Sequence, residues 1–305
     1  MSLSTYNWYS KNPDFSNKYC PYCGRLFSTF GSSEEIQENT NKEHLIGRDF
    51  VPRNSFSDPQ NINFIFRACS ACNSRKAEYE RQVSSVSLLN SLTEHSPDEQ
   101  KRILRKAQND YSGFIKGKKV IDSSSTFSIK AQMDFCNLKS GLWGPPQVKE
   151  TAIANLAFMH MQGLLCFILQ SDKFDNTELV HLYKKDFHYF GSFPKGDWGN
   201  PSLEYLRKMT LSWEPLMIMS TANNNFKIYI KASEVIIFWL LEWNKYYRVC
   251  GFIGEEAKCF SILKAIPEEK FKYWGKDADD GEMFLRRCIP LKEDSPDFIF
   301  DFTLC

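Results

Sequence analysis

The sequence predicts an α+β protein in which a small cysteine-rich module precedes a larger α+β domain. Two cysteine pairs with the spacing C-x-x-C lie within the first 72 residues, where apolar runs are short. Helical periodicity follows them, and alternating apolar residues, which are typical of strands, recur in the rest of the chain. Because 42% of the residues are hydrophobic and 25% are charged, we expect packed globular domains.

Two helices are predicted in the N-terminal part of the chain. The first begins near Ser70 and continues towards Leu92, with apolar residues at helical spacing. The second begins at Ser96, which Pro97 and two acidic residues follow. A serine cap, a proline in the first turn and acidic residues next to it are typical of a helix start.

The glycines and serines of residues 111–125 predict a boundary between two domains, at 1–112 and 126–305. A length of 305 residues allows about two domains. In the second, Thr126–Phe135 alternates as a strand does, and two prolines introduce an apolar helix from Val148 to about Gln170. Further strands are predicted at Leu216–Met219, Phe226–Ile230, Val235–Leu241 and Tyr246–Phe252.

Charge and hydropathy limit the partners of the protein. The sequence opens without a signal-peptide pattern, and its apolar runs are interrupted before they reach membrane-spanning length. We therefore predict a cytoplasmic protein without a membrane partner. The net charge of +1 does not indicate nucleic-acid binding by the whole surface. Residues 101–119, however, carry seven basic residues and one acid, Asp110, which fits either a solvated helix face with a basic loop or a phosphate-contacting patch.

The spacing of four cysteines predicts a metal site. Cys20 and Cys23 precede Gly24, which allows a tight turn, and Cys69 and Cys72 open the first predicted helix. Four thiolates in paired spacing suit tetrahedral Zn²⁺ with a closed, structural coordination shell. Such a site contributes on the order of 10–16 kcal/mol of apparent binding free energy. We therefore expect zinc to take the place of a hydrophobic core in this module.

Polar residues between and after the cysteine pairs suggest chemistry beyond a zinc ribbon. In chain order they are Glu43, His44, Asn61, Asn63 and Asn73. This layout resembles the HNH nuclease family, and within it the zinc-bearing ββα-metal members, over about 60 of the 305 residues. The resemblance implies a small zinc-stapled ββα-metal module and a metal-dependent hydrolysis of nucleic-acid phosphodiesters.

The resemblance also implies a role for each residue. His44 matches the general base, because a neutral imidazole can take a proton from water. Glu43 and Asn73 match positions that bind one catalytic Mg²⁺ or Mn²⁺ through oxygen atoms. Asn63 matches the residue that braces the loop carrying the histidine, although Asn61 is an alternative. Arg48, Arg75 and Lys76 fit either phosphate contacts or ordinary surface charge.

The sequence departs from the commonest family pattern at the metal-binding positions. Asparagine stands at position 73, where a final histidine is usual, as in an HNN-like variant. Glutamate stands at position 43, where aspartate is usual, and its extra methylene changes where a cation would be held. Since adjacent residues on a regular strand point to opposite faces, Glu43 and His44 are expected to flank the scissile phosphate and not both to bind the metal, unless the backbone bends there.

We therefore expect an endonuclease that acts on DNA, with RNA as a second candidate substrate. Prokaryotic HNH proteins with such C-terminal extensions resemble effectors of restriction or antiphage defence, so 126–305 is expected to bind a partner protein or sense an activating signal. One catalytic centre per chain implies a homodimer or two successive events for a double-strand break. The alternative is a zinc-ribbon protein that binds nucleic acid or protein without turnover.

Overall fold

A computed structural model of the protein describes residues 7–133, 136–169, 184–266, 272–276, 282–285, 288–293, 297 and 299–300. Its α-helices are α1 (Ser33–Asn39), α2 (Ser70–Asn90), α3 (Pro97–Asn109), α4 (Glu150–Leu169), α5 (Pro201–Met209) and α6 (Glu256–Ala265). Its strands are β1 (Thr40–His44), β2 (Ile65–Cys69), β3 (Ser125–Met133), β4 (Cys136–Gly144), β5 (Phe187–Pro194), β6 (Glu214–Thr221), β7 (Phe226–Ala232), β8 (Ile236–Trp243), β9 (Tyr247–Gly254), β10 (Lys272–Lys276) and β11 (Glu282–Leu285).

The α+β class predicted from the sequence is confirmed by this mixture of helices and sheets. The predicted helices correspond to α2, α3 and α4, and the predicted strands correspond to β3 and to β6–β9. Ser96 stands at the start of α3 with Pro97 in the first turn, as expected. The short helix α1 was not predicted, although Ser32 and Glu35 form a capping box at its start.

The strands form four sheets in the described part of the chain. In the first, β1 and β2 run antiparallel, with Thr40 opposite Cys69 and His44 opposite Ile65. Two further antiparallel pairs are β3 with β4 and β10 with β11. The fifth to ninth strands form one five-stranded sheet in the order β5-β9-β8-β7-β6.

The chain divides into two compact units. The first comprises Met1–Leu182, Ser220–Phe226 and Trp243–Tyr246, and the second comprises the remaining residues. Helix α4 belongs to the first unit and packs against α2 there, although its sequence lies beyond the predicted boundary at 111–125. The predicted domains at 1–112 and 126–305 remain a prediction.

The first unit has an aromatic core that includes residues from β2 and α4. Phe167 of α4 stacks on Trp8, with 4.2 Å between the ring centroids, and lies 4.9 Å from Phe64 and 5.6 Å from Phe66. Leu45, which follows β1, is fully buried as well. The expectation that zinc takes the place of a core in this module is therefore wrong, because aromatic side chains from distant segments pack beneath its strands.

Helix α4 is also the one described helix that is long and apolar enough to cross a membrane. Its residues Glu150–Ile168 have a mean hydropathy of 1.5, and 72% of this segment is buried inside the protein. Its place against α2 accounts for that composition, since a core helix of a folded domain is apolar on most sides.

His160 on α4 is a buried histidine held without charge. The rings of Phe50, Phe226 and Trp243 meet it edge-on, and its Nε2 lies 3.5 Å from Oε1 of Glu80. Burial lowers the pKa of His160 to about 4 from its ordinary value of 6.5, against the opposing pull of Glu80. Its imidazole is therefore neutral in the folded protein at pH 7.

This depressed pKa predicts a loss of stability on acidification. Between pH 6.5 and pH 4 the unfolded chain binds a proton at His160 and the folded chain does not, so the free energy of unfolding decreases as the pH falls. We expect His160→Gln to remove about 2 kcal/mol of the decrease between pH 7 and pH 5. Urea unfolding of the wild type and of His160→Gln at pH 7 and pH 5 measures this change in the free energy of unfolding. If the free energy depends equally on pH in both proteins, His160 is not its source.

The second unit is built around the five-stranded sheet. Its buried core includes Phe238 and Phe252 from the sheet and Leu203 and Leu206 from α5. Arg248 of β9 is also buried, with its guanidinium 3.8 Å from the centroid of the Trp198 ring. Glu242 and Asp297 pair with this guanidinium, and Lys227 lies 2.8 Å from Glu242, so these buried charges are compensated.

Candidate functional site

Four cysteines meet at the junction between β2 and α2. The sulfur atoms of Cys20, Cys23, Cys69 and Cys72 all lie within 4.8 Å of one another, and those of Cys23 and Cys69 are 3.8 Å apart. Tetrahedral zinc with bonds of about 2.3 Å would place its sulfur ligands about 3.8 Å apart. The cluster could therefore hold a metal ion such as zinc, as its sequence spacing predicted.

Local backbone structure presents these sulfur atoms to one another. Gly24 has a φ of +69°, and its N–H donates to the carbonyl of Cys20 at 2.9 Å, which closes a tight turn around the first pair. Cys69 ends β2 and its N–H donates towards the Cys20 sulfur at 3.5 Å, while Cys72 lies in the first turn of α2. The cluster thus joins the N-terminal turn to the strand–helix junction.

Strand β1 brings Glu43 and His44 to the same region, and Asn63 holds the loop that follows. The side-chain oxygen of Asn63 accepts from the Ile46 N–H at 3.2 Å, and its amide donates to the Ile46 carbonyl at 2.7 Å. Asn61 instead pairs with Asn223, through two hydrogen bonds of 2.7 Å. Of the two asparagines, Asn63 is thus the one that contacts the loop after His44.

Glu43, His44 and Asn73 line one pocket of about 580 Å³ between β1 and α2. Four basic residues from β1, the loop after it, α2 and α3 also line it, and so do three further acids: Lys42, Arg48, Arg81 and Lys106, and Asp49, Glu80 and Asp110. The pocket thus brings together carboxylates, an imidazole, an amide and cations, which are the groups that phosphodiester chemistry uses to activate water and to neutralise a phosphate. Arg75, in contrast, is exposed and is not among the residues that line it.

Lys76 is buried in ion pairs and does not lie on the surface, where a phosphate contact would be expected. Its side chain is 1% exposed, and its ammonium lies 2.8 Å from Oε1 of Glu43 and 2.7 Å from Oε1 of Glu80. It also donates to the carbonyl of His44 at 3.1 Å. Three acceptors therefore surround this ammonium, and Lys76 ties the end of β1 to the inside of α2.

Glu80 extends this buried network towards the loop after β1. Its Oε1 accepts from the N–H of Gly47 at 2.9 Å as well as from Lys76. A Cβ at position 47 would stand 2.2 Å from Oε2 of Glu80, so any other residue there would displace this carboxylate. Neither Glu80 nor His160 was predicted to belong to the site; the spacing of Lys76 and Glu80, one helical turn apart, was the available signal.

The buried charges shift one another's pKa values. Burial raises the pKa of Glu43, and the ammonium of Lys76 only partly offsets this. Burial also opposes ionisation of Glu80, but Lys76 and His160 together outweigh it and hold the pKa of Glu80 below its usual value. For Lys76, the two carboxylates outweigh burial and raise the pKa. Because the ammonium is shared, its loss would leave two carboxylates without compensation in a buried environment.

His44 and Asn73 keep atoms available to a ligand. Burial, with the charges of Arg48 and Lys42, lowers the pKa of His44 to about 4, so its imidazole is neutral at pH 7. The amide of Asn73 donates to the side-chain oxygen of Asn41 at 2.8 Å. That bond uses the nitrogen of Asn73 and, among the described residues, leaves its oxygen without a donor.

Tyr22 and Lys76 both bond to Oε1 of Glu43, so Oε2 is the oxygen open to another ligand.

A comparison of the chain with protein-family models, curated proteins and solved structures finds no match, so the site has to be interpreted from its own residues.

Proposed function

We propose that this protein is a metal-dependent endonuclease whose catalytic centre is the pocket between β1 and α2. The observation that carries the proposal is the convergence of Glu43, His44 and Asn73 on one pocket that the exposed Arg48 also lines. These residues come from two segments about 30 positions apart, and the antiparallel pairing of β1 with β2 brings them together at the start of α2.

Each residue has a chemical role that follows from its surroundings. His44 takes a proton from the attacking water, because its imidazole is uncharged and lines the pocket. Asn63 holds the loop after β1 and so orients that histidine. Arg48, which is exposed on the same pocket, stabilises the negative charge of the phosphate.

The donor set also suits a hard divalent cation. Glu43 and Asn73 present carboxylate and amide oxygens, the ligands that Mg²⁺ and Mn²⁺ prefer. When bound there, the cation would neutralise charge that develops on the phosphate and the leaving oxygen. The cysteine cluster lacks oxygen ligands, so we assign zinc a structural role at that separate site.

The test is cleavage of supercoiled plasmid DNA by the full-length protein, with added Mg²⁺ or Mn²⁺ and without either. We expect nicked or linear product only with the cation. His44→Ala should lower the rate by about 100- to 10,000-fold, the usual contribution of a general base. His95→Ala is the matched control, because His95 lies outside the pocket and contacts Ser91; it should cut at the wild-type rate.

Two outcomes would overturn this proposal. If His44→Ala cuts as fast as the wild type, His44 is not the base. If the wild-type protein binds DNA but does not cut DNA or RNA with any of several divalent cations, the chain is a zinc-ribbon binding protein without turnover.

A further inference from the structure

A hairpin at the end of α3 begins at the wall of the pocket. Asp110, which lines the pocket, accepts a backbone hydrogen bond from Val120 at 3.0 Å, and Ser112 donates to the carbonyl of Lys118 at 2.8 Å. Tyr111 and Lys119 pair between these two bonds. We call residues 110–120 the basic hairpin.

The basic hairpin is anchored to α2. The carboxylate of Asp110 accepts a hydrogen bond from Ser85 and forms ion pairs with Lys106 at 3.1 Å and Arg81 at 3.8 Å. Gly113 lies against Gln82 of the same helix, so closely that a Cβ there would stand 2.4 Å from the Gln82 side-chain oxygen. These contacts hold the hairpin in place beside the pocket.

An exposed aromatic ring stands at the start of the basic hairpin. Tyr111 is 57% exposed, although large aromatic side chains are usually buried. The ammonium of Lys119 lies 3.4 Å from the centroid of its ring and donates to the carbonyl of Asn109 at 2.6 Å. A tyrosine that is held by a cation and left open to solvent has the form of a stacking platform for a nucleic-acid base.

The surrounding charge is positive and uncompensated. Arg105, Lys116 and Lys118 are exposed, and no acidic side chain in the described part of the chain pairs with them. Asp110 is the one acid in residues 101–119, and it is already committed to Lys106 and Arg81. The free positive charge therefore suits a polyanion that leaves the pocket along this hairpin.

We propose that the basic hairpin binds an unpaired nucleic-acid strand next to the scissile phosphate. Tyr111 stacks on a base, and Arg105, Lys116 and Lys118 contact the phosphates that flank it. Since the faces of paired bases are covered by their neighbours, stacking on Tyr111 selects a single strand, a flap or a gap over intact duplex. The proposal rests on the proposed nuclease centre for its position, but the binding itself requires no hydrolysis.

Fluorescence anisotropy of labelled oligonucleotides tests this in the full-length His44→Ala protein without added Mg²⁺. The probes are single-stranded oligothymidine and a duplex of the same length. Tyr111→Ala should weaken single-strand binding by about 5- to 100-fold and leave duplex binding nearly unchanged, whereas Tyr111→Phe, which keeps the ring, should bind as the parent does. Phe15→Ala is the matched control, because Phe15 is an exposed aromatic residue far along the chain from the hairpin.

The contribution of the positive charges to binding is tested with the double substitution Lys116→Gln and Lys118→Gln. We expect the slope of log affinity against log salt to become shallower by about 1.4, the contribution of two phosphate contacts on a single strand. Circular dichroism confirms that each variant is folded.

The proposal is overturned if Tyr111→Ala binds the single strand as the parent does, or if Tyr111→Phe loses as much affinity as Tyr111→Ala. It is also overturned if the loss is equal for duplex and single strand. A wild-type protein that fails to cut, while these variants behave as expected, contradicts the nuclease proposal and supports the hairpin.

Discussion

Replacing Cys69 and Cys72 together by serine is expected to abolish metal binding by the cysteine cluster and to destabilise the region around β1, β2 and α2. Apparent binding free energies of structural zinc are on the order of 10–16 kcal/mol, and whole domains are stable by only about 5–15 kcal/mol. Cys69 ends β2 and Cys72 lies in the first turn of α2. Loss of the metal therefore removes the link that holds the strand–helix junction to the N-terminal turn at Cys20.

The measurements are the metal content per chain and the urea unfolding transition. Wild-type protein should contain one zinc per chain, and the double variant should contain none and begin to unfold at a lower urea concentration. Cys288→Ser is the control, because Cys288 is exposed and lies outside the cluster; it should keep both. A double variant that still holds one zinc, or that unfolds at the wild-type urea concentration, would contradict a structural metal site.

Replacing Lys76 by methionine is expected to destabilise the protein by about 3–5 kcal/mol. The substitution leaves a side chain of similar length but removes the ammonium that lies between Glu43 and Glu80. Both carboxylates are buried, so neither can recover its lost partner from water. We expect the pKa of each carboxylate to rise, because the unpaired charge is no longer favoured.

Urea unfolding at pH 7 measures this loss. Lys101→Met is the matched control, since Lys101 is 72% exposed and a surface substitution of this kind changes stability by less than about 0.5 kcal/mol. Adding Glu80→Gln to Lys76→Met should recover part of the loss, because one uncompensated charge is removed. If Lys76→Met is as stable as Lys101→Met, the buried ammonium does not stabilise the fold through Glu43 and Glu80.

Local patterns account for the parts of the fold that the sequence predicted. Helices α2 and α3 follow from periodic apolar residues and from the Ser96-Pro97 start, and strands β6–β9 follow from short apolar runs between turns. The cysteine cluster was predictable for the same reason, since each C-x-x-C pair is itself a local signal.

What the sequence did not predict depends on contacts between distant residues. Lys76 is a charged residue on a largely polar helix, and such residues usually face solvent. Its burial becomes evident only when Glu43, 33 positions earlier, is placed beside it by the pairing of β1 with β2. His160 likewise meets Glu80 across 80 positions. The one clue in the sequence was local, because Lys76 and Glu80 lie one helical turn apart on α2.

Because Gly47 lies so close to Glu80, the residue at one of these positions limits which residues the other can accept. A side chain at 47 displaces the carboxylate at 80, which releases its bonds from the Gly47 N–H and from Lys76. A shorter residue at 80 would make room for alanine at 47, but it would withdraw one of the two partners of the buried ammonium. Whether a substitution at position 47 or 80 is tolerated therefore depends on the residue at the other position. We expect the two positions to change together or to remain unchanged during evolution.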